Sequence, residues 1–210
     1  MPRTRSLRSA LAIVAGFGAG AVPVSNLVAR RVKGVDLRTF GTGTVSGTGL
    51  FRVAGAGPLV LAGIIELAKG AAGPLIAGRG RPLAAPLAAG AAVAGHNWSP
   101  FLGGAGGRGI APALGGFLVL APAGAATLMA GLVAGRLGGE TALGCLVAYV
   151  VLVPVASHFH GRLGRDAAVS MLVPLVVKRL VGNSAPGGYG ASVYLWRLLF
   201  DRDAPRKPPR

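Results

Sequence analysis

The sequence is short of acid. Only 6 Asp and Glu stand against 22 Lys and Arg, for a net charge of +16. The acids are Asp36, Glu66, Glu140, Asp166, Asp201 and Asp203, scattered along the chain. That scarcity argues against a hydrolase working with two paired carboxylates. The one cysteine, Cys145, lies in an apolar run with no base beside it. It therefore forms no intramolecular disulfide and reads as a small core residue, not a nucleophile. A Gly-x-Ser-x-Gly elbow is missing as well. His158 and His160 are two apart, so they do not share a helix face, and no acid or cysteine is near enough in sequence to complete a metal site. They read as a pair at a membrane interface. No metal and no cofactor is expected.

Charge of either sign is sparse, at 13% of residues. A soluble domain carries about 25%. Hydrophobic residues make up 52%, there are 36 glycines, and the mean hydropathy is +0.60. Membrane helices tolerate glycine and proline better than soluble ones. The composition thus points to an all-α, polytopic membrane bundle. A single domain is expected through about residue 203, followed by a basic, disordered tail over 204–210. The basic residues lie mostly between apolar runs and at the ends, as for loops at an anionic leaflet. Membrane lipids, not nucleic acid, are the expected surroundings; the sequence does not reveal an oligomeric state.

Apolar runs cover about 7–28, 53–76, 83–94, 113–133, 141–156 and 167–181. The first follows Arg3, Arg5 and Arg8 and reads as a membrane helix that bends near Pro23, not as a cleaved signal. Pro122 is placed to divide the fourth run. His158 to Arg162 reads as a polar break, and the chain from Gly182 as a glycine- and proline-rich tail. This gives about six membrane helices. Counted in alternation, the loops around Gly41 and Gly106 fall on one side, with Arg30, Arg31, Lys33, Arg38, Arg52 and Arg108. The positive-inside rule places that side in the cytoplasm, at the plasma membrane.

Those two loops concentrate the chemistry. Gly41-Thr42-Gly43 and Gly106-Gly107-Arg108-Gly109 each join glycine with a nearby cation, Arg52 closing the first and Arg108 lying inside the second. Glycine amides can cradle an anion, and guanidinium groups bind phosphate in a bidentate way. The same glycines also suit tight turns and close helix packing. Glu66 and Lys69, three apart, share a face of the second run. They either neutralise each other or direct Lys69 to a site. His96 is either a proton-transfer or positioning group, or a satisfied histidine at a helix end.

In order along the chain, these segments resemble the bacterial acyl-phosphate:glycerol-3-phosphate acyltransferases of the PlsY type. Gly20-Ala21-Val22-Pro23 and Gly34-Val35-Asp36-Leu37-Arg38 are similar to the family's opening. Gly41 to Arg52 resembles its first motif, "GSGNxGATNxxR", with Thr44 and Gly49 in place of the asparagines. Glu66-Leu67-Ala68-Lys69-Gly70 is similar to "DxxKG". Gly95 to Ala111 resembles "GHxxPxFxxFKGGKGVAT", with Ala105 and Arg108 in place of the lysines. The third motif, "RHxEN", aligns at Arg179 to Asn183, with Leu180 and Gly182 in place of its histidine and glutamate.

The resemblance implies seven membrane helices, with the motif loops cytoplasmic. It also implies transfer of an acyl group from acyl phosphate to sn-glycerol 3-phosphate, giving lysophosphatidic acid. The donor is already activated, so the task is to hold two anions close and in line. Carried over, Arg52 and Arg108 take phosphate groups, helped by Thr42 and the amides of Gly41, Gly43, Gly106, Gly107 and Gly109. Lys69 and Asn183 orient the glycerol phosphate, and His96 handles a proton or positions. The substituted motif residues leave open a relative that binds a phosphate or lipid ligand without acyl transfer. A small transporter has only Glu66 and Lys69 to recommend it.

Overall fold

The computed structural model describes residues 2–41, 43–78, 81–183 and 190–202, with side chains from residue 6 onward. Every regular element among them is helical. Helix α1 (Pro2–Ala21) passes into α2 (Val24–Lys33) across Val22 and Pro23. Proline lacks the N–H a continuous helix needs, so the first run breaks near the expected bend. Gly34 ends α2 at φ 68°, and Arg30, Arg31 and Lys33 crowd its last turn. Cations are favoured there by the helix dipole.

A 3-10 turn (Leu37–Thr39) and α3 (Gly47–Ala54) flank the first glycine loop, and α4 (Ala56–Ala77) and α5 (Ala84–Asn97) follow. The second glycine loop, with its 3-10 turn Pro100–Leu102, leads into α6 (Ile110–Leu120). Then come α7 (Pro122–Leu137), α8 (Thr141–Val181) and α9 (Ala191–Phe200). Pro122 stands at the first position of α7 and so does divide the fourth run.

The break expected over His158–Arg162 is there, but narrower. The stretch stays helical except at Gly161, which sits at φ 58°, ψ −141°. The chain doubles back there. A side chain on Gly164 would overlap the Ala156 carbonyl, and the Arg179 guanidinium reaches the Ala142 carbonyl at 2.6 Å. Neither pair could meet in a straight helix, whose rise is about 1.5 Å per residue. Thus α8 is a helical hairpin with its polar residues at the tip, where His160 accepts the Ala123 N–H. Each arm has the length to cross a hydrocarbon core of roughly 30 Å. The segment after Gly182 also differs: it contains α9, closed on itself by Trp196 against Phe200, ring centroids 4.5 Å apart. The expected tail over 204–210 lies outside the described residues.

Helix α5 is the hub, packed on α1, α4, α6 and α8. The approaches are close because small residues face each other. A Cβ on Gly20 of α1 would overlap the Ala92 carbonyl of α5, and one on Gly70 of α4 the Pro112 carbonyl of α6. Val93, Phe117, Leu152, Met171 and Leu175 fill the centre. Large apolar side chains point outward instead, with Val14 69% and Val150 72% exposed. Water would penalise such a surface; lipid does not. Three helical stretches, Ser6–Lys33, Ala56–Ala77 and Thr141–Val181, are long and apolar enough to cross a membrane.

Candidate active site

The site lies at one end of the bundle, where α2, both glycine loops, the end of α8 and α9 meet. Its foundation is on α4. Glu66 Oε2 accepts from Lys69 Nζ at 2.7 Å and pairs with His96 Nδ1, on α5, at 3.0 Å. Lys69 Nζ also donates to the Val22 carbonyl, at the break between α1 and α2. Glu66 and Lys69 are both buried. They neutralise each other, as one of the two sequence readings had it, but the pair also orients His96. A carboxylate only accepts, so Nδ1 of His96 donates to it, and in the neutral ring Nε2 keeps a lone pair. That nitrogen faces Gly107: a Cβ there would overlap it.

The second loop packs down on this base. Ser99 Oγ donates to the Ala21 carbonyl, and Gly107 N to the His96 carbonyl at 3.2 Å. Gly109 sits at φ 74°, in the left-handed region, beside Asn97. Asn97 itself is fully buried and donates to the Pro174 carbonyl at 2.8 Å.

The first loop is hung from its edges. Asn26 on α2 accepts the Leu37 N–H at 2.7 Å, and Ser46 caps α3 by accepting from Gly49 N. Asp36 takes the Arg38 N–H and guanidinium, which hold its carboxyl down at about 2. Arg38 in turn reaches the Leu102 carbonyl of the second loop at 3.5 Å. Arg52, on α3, is exposed.

Asn183 ties the two loops together. Its amide nitrogen donates to the carbonyls of Gly43 at 3.0 Å and Gly106 at 2.9 Å, and its oxygen accepts the Gly106 N–H at 3.1 Å. Val45 N adds a direct bond to the Gly106 carbonyl at 3.2 Å. All three motif segments thus converge. Three of the expected anion-binding amides are engaged within the protein: Gly43 N with Phe40, Gly106 N with Asn183 and Gly107 N with His96. Thr42 lies outside the described residues.

Arg108 meets partners that sequence reasoning missed. Its Nε donates to Asp201 Oδ2 at 2.9 Å, NH1 to the Lys178 carbonyl at 3.1 Å and NH2 to the Asp201 carbonyl at 3.3 Å. A guanidinium has five N–H groups, so NH1 and NH2 each keep one. Asp201 ends α9 at φ 53° and offers both its carboxylate and its carbonyl. Burial pushes its carboxyl up, against the Arg108 and Arg179 charges. Arg197, also on α9, donates to the carbonyls of Leu180 at 3.2 Å and Val181, beside Gly182. Arg179 ties Ala142 to Leu199 and is buried. The apolar stretch Val193 to Phe200, interrupted only by Arg197, was the available signal for this helix.

A polytopic membrane protein that gathers cations and a carboxylate-oriented histidine at one end is the class defined by fold and site together. The chain belongs to the glycerol-3-phosphate acyltransferase family, whose model matches residues 10–184, and it is an acyltransferase of phospholipid synthesis. It is 32% identical over 199 residues to glycerol-3-phosphate acyltransferase 5 of Dehalococcoides mccartyi, covering 90% of this chain and 84% of the relative. To the glycerol-3-phosphate acyltransferase of Synechococcus sp. (strain CC9902) it is 35% identical over 174 residues, covering 81% and 86%. The fold is similar to the crystal structure of PlsY, an integral membrane glycerol 3-phosphate acyltransferase, in its glycerol 3-phosphate form. That match has a TM-score of 0.71 at 22% identity and covers 90% of this chain and 98% of that one. A lysophosphatidic acid form of PlsY matches with a TM-score of 0.69.

Proposed function

We propose that the chain transfers an acyl group from acyl phosphate to sn-glycerol 3-phosphate, releasing inorganic phosphate and forming lysophosphatidic acid. The observation that carries this reading is the convergence of the three motif segments on Asn183, with the second glycine loop packed on His96. The glycerol hydroxyl oxygen attacks the acyl carbon and the bond from that carbon to the phosphate oxygen breaks. The phosphate leaves with the electron pair, and the hydroxyl proton passes to His96 Nε2.

Arg108, through its remaining N–H groups, and Arg52 bind phosphate, with Thr42 and the amides of Gly41 and Gly109. Gly43, Gly106 and Gly107 shape the loops instead, since their amides are already engaged. Lys69 and Asn183 position: one holds Glu66, the other holds the loops. The motif face is cytoplasmic at the plasma membrane, supported by the cations of α2 and both loops. Residues 1–203 act as one domain, with 204–210 as a basic tail.

The test is direct: purified protein in lipid, supplied with acyl phosphate and glycerol 3-phosphate, is assayed for lysophosphatidate. Product is expected. A folded protein that yields none while still binding either substrate fits the second reading, a ligand-binding relative. The Asp201 carboxylate already on Arg108 favours that second reading.

A further inference from the structure

Lys178 has no role in the mechanism above, and its position is unusual. It lies in the last turn of α8 with 1% of its surface exposed. Among the described residues its ammonium has no hydrogen bond and no acidic partner; it lies over the Trp98 ring, 5.4 Å from the centroid. An aromatic face offsets part of the cost of desolvating an ammonium, not all of it. The neighbourhood adds positive charge: Arg108 and Arg179 lie at the same helix end, and among the described residues Asp201 is the acid that Arg108 touches there. Buried cations in excess of acids make a place for an anion.

The space beside Trp98, on which the Lys178 ammonium lies, is largely apolar. A groove of about 780 Å³ runs between α5 and the second arm of α8, lined by Leu87, Ala91, Ala94, Val169, Val173 and Val177 and, away from Trp98, by Arg165, Asp166 and Ser170. Trp98 closes its end at the second loop, under the Lys178 ammonium. A tail in this groove with an anionic head at Trp98 would place that head beside the Lys178 ammonium.

We infer that Lys178 binds the phosphate of the acyl donor, whose chain lies in the groove between α5 and α8. This rests on the acyl-transfer reading for the donor's identity but not for its binding. The donor class is a phosphate attached directly to a long apolar chain. Glycerol 3-phosphate, which has no tail, takes the Arg52 side.

Two measurements test it. The first reads binding alone, as the rise in melting temperature given by dodecyl phosphate, which cannot donate an acyl group. Wild type is expected to show a rise, Lys178→Met to lose most of it and Lys178→Arg to keep it. Ala94→Phe, which fills the groove, should lose the rise with dodecyl phosphate but keep any rise with inorganic phosphate. The second reads turnover. Lys178→Met should raise KM for acyl phosphate about tenfold or more while KM for glycerol 3-phosphate stays within about twofold. A wild-type shift retained in Lys178→Met overturns the inference, as does a KM rise confined to glycerol 3-phosphate. Should Lys178→Met not fold, Ala94→Phe decides: an unchanged dodecyl phosphate shift overturns it. Wild type that makes no lysophosphatidate yet binds dodecyl phosphate through Lys178 refutes the acyl-transfer reading and keeps this one. Active wild type with an unaffected Lys178→Met does the reverse.

Discussion

A side chain placed on Gly41, in the first glycine loop, would meet nothing within 4 Å. Placed on Gly106, in the second, it would overlap the carbonyls of His96 and Asn97, and on Gly107 the His96 ring. The first loop needs glycine for its turn, since Gly41 sits at φ 59° in open space. At Gly106 and Gly107 the second needs it for proximity, because the backbone there lies against α5 and the imidazole. Similar composition therefore serves two ends. One loop is an open rim hung from Asn26, Asp36 and Ser46. The other is a floor pressed onto Glu66 and His96, and Asn183 fastens rim to floor.

The contrast can be broken from below. Glu66→Ala strands the Lys69 ammonium in a buried site and releases His96, so a loss of roughly 3–5 kcal/mol is expected. Melting in detergent and acyl transfer should both collapse; a variant of near wild-type stability would remove the floor from the argument. Next in size is a matched pair. Gly107→Ala must displace the His96 ring or the loop, costing about 1–3 kcal/mol and most of the activity. Gly41→Ala has room and bears only the left-handed backbone penalty, about 1–2 kcal/mol, with activity largely kept. Equal activities in the two would erase the distinction between the loops.

Asn183→Ala cuts the fastening. Loss of its bonds to both loops should cost about 2 kcal/mol. Hydrogen exchange should then rise in residues around 43–46 and 104–107 together; a rise in one loop alone would show that they are not coupled. The smallest effect concerns the rim. Arg38 holds the Asp36 carboxyl at about 2, below its ordinary value. A depressed acid contributes stability above its unfolded pKa and loses it as pH falls through the folded one. Wild type should thus lose its small advantage over Asp36→Asn between about pH 4 and pH 2. An advantage that persists below that window would contradict the pairing.

Much of this was legible along the chain. The motif glycines, His96, the Glu66–Lys69 spacing and the Pro122 break are local patterns, and local patterns survive without coordinates. The break between the runs at 141–156 and 167–181 was legible too; that a single glycine, Gly161 at φ 58°, makes the turn was not. Nor was the partner of Arg108, since Asp201 is 93 residues away and no periodicity links them. The expectation that glycine amides would face a phosphate treated free backbone groups as available. Folding had engaged three of them, at Gly43, Gly106 and Gly107, as buried backbone groups usually are.

Acyl transfer measured for Arg52→Ala and Arg108→Ala beside wild type, in one membrane preparation, tests the site most directly. Each variant should fold and lose most of its lysophosphatidate formation, with Arg52→Ala raising KM for glycerol 3-phosphate. Two variants that turn over like wild type would contradict a phosphate site built from the rim and the floor.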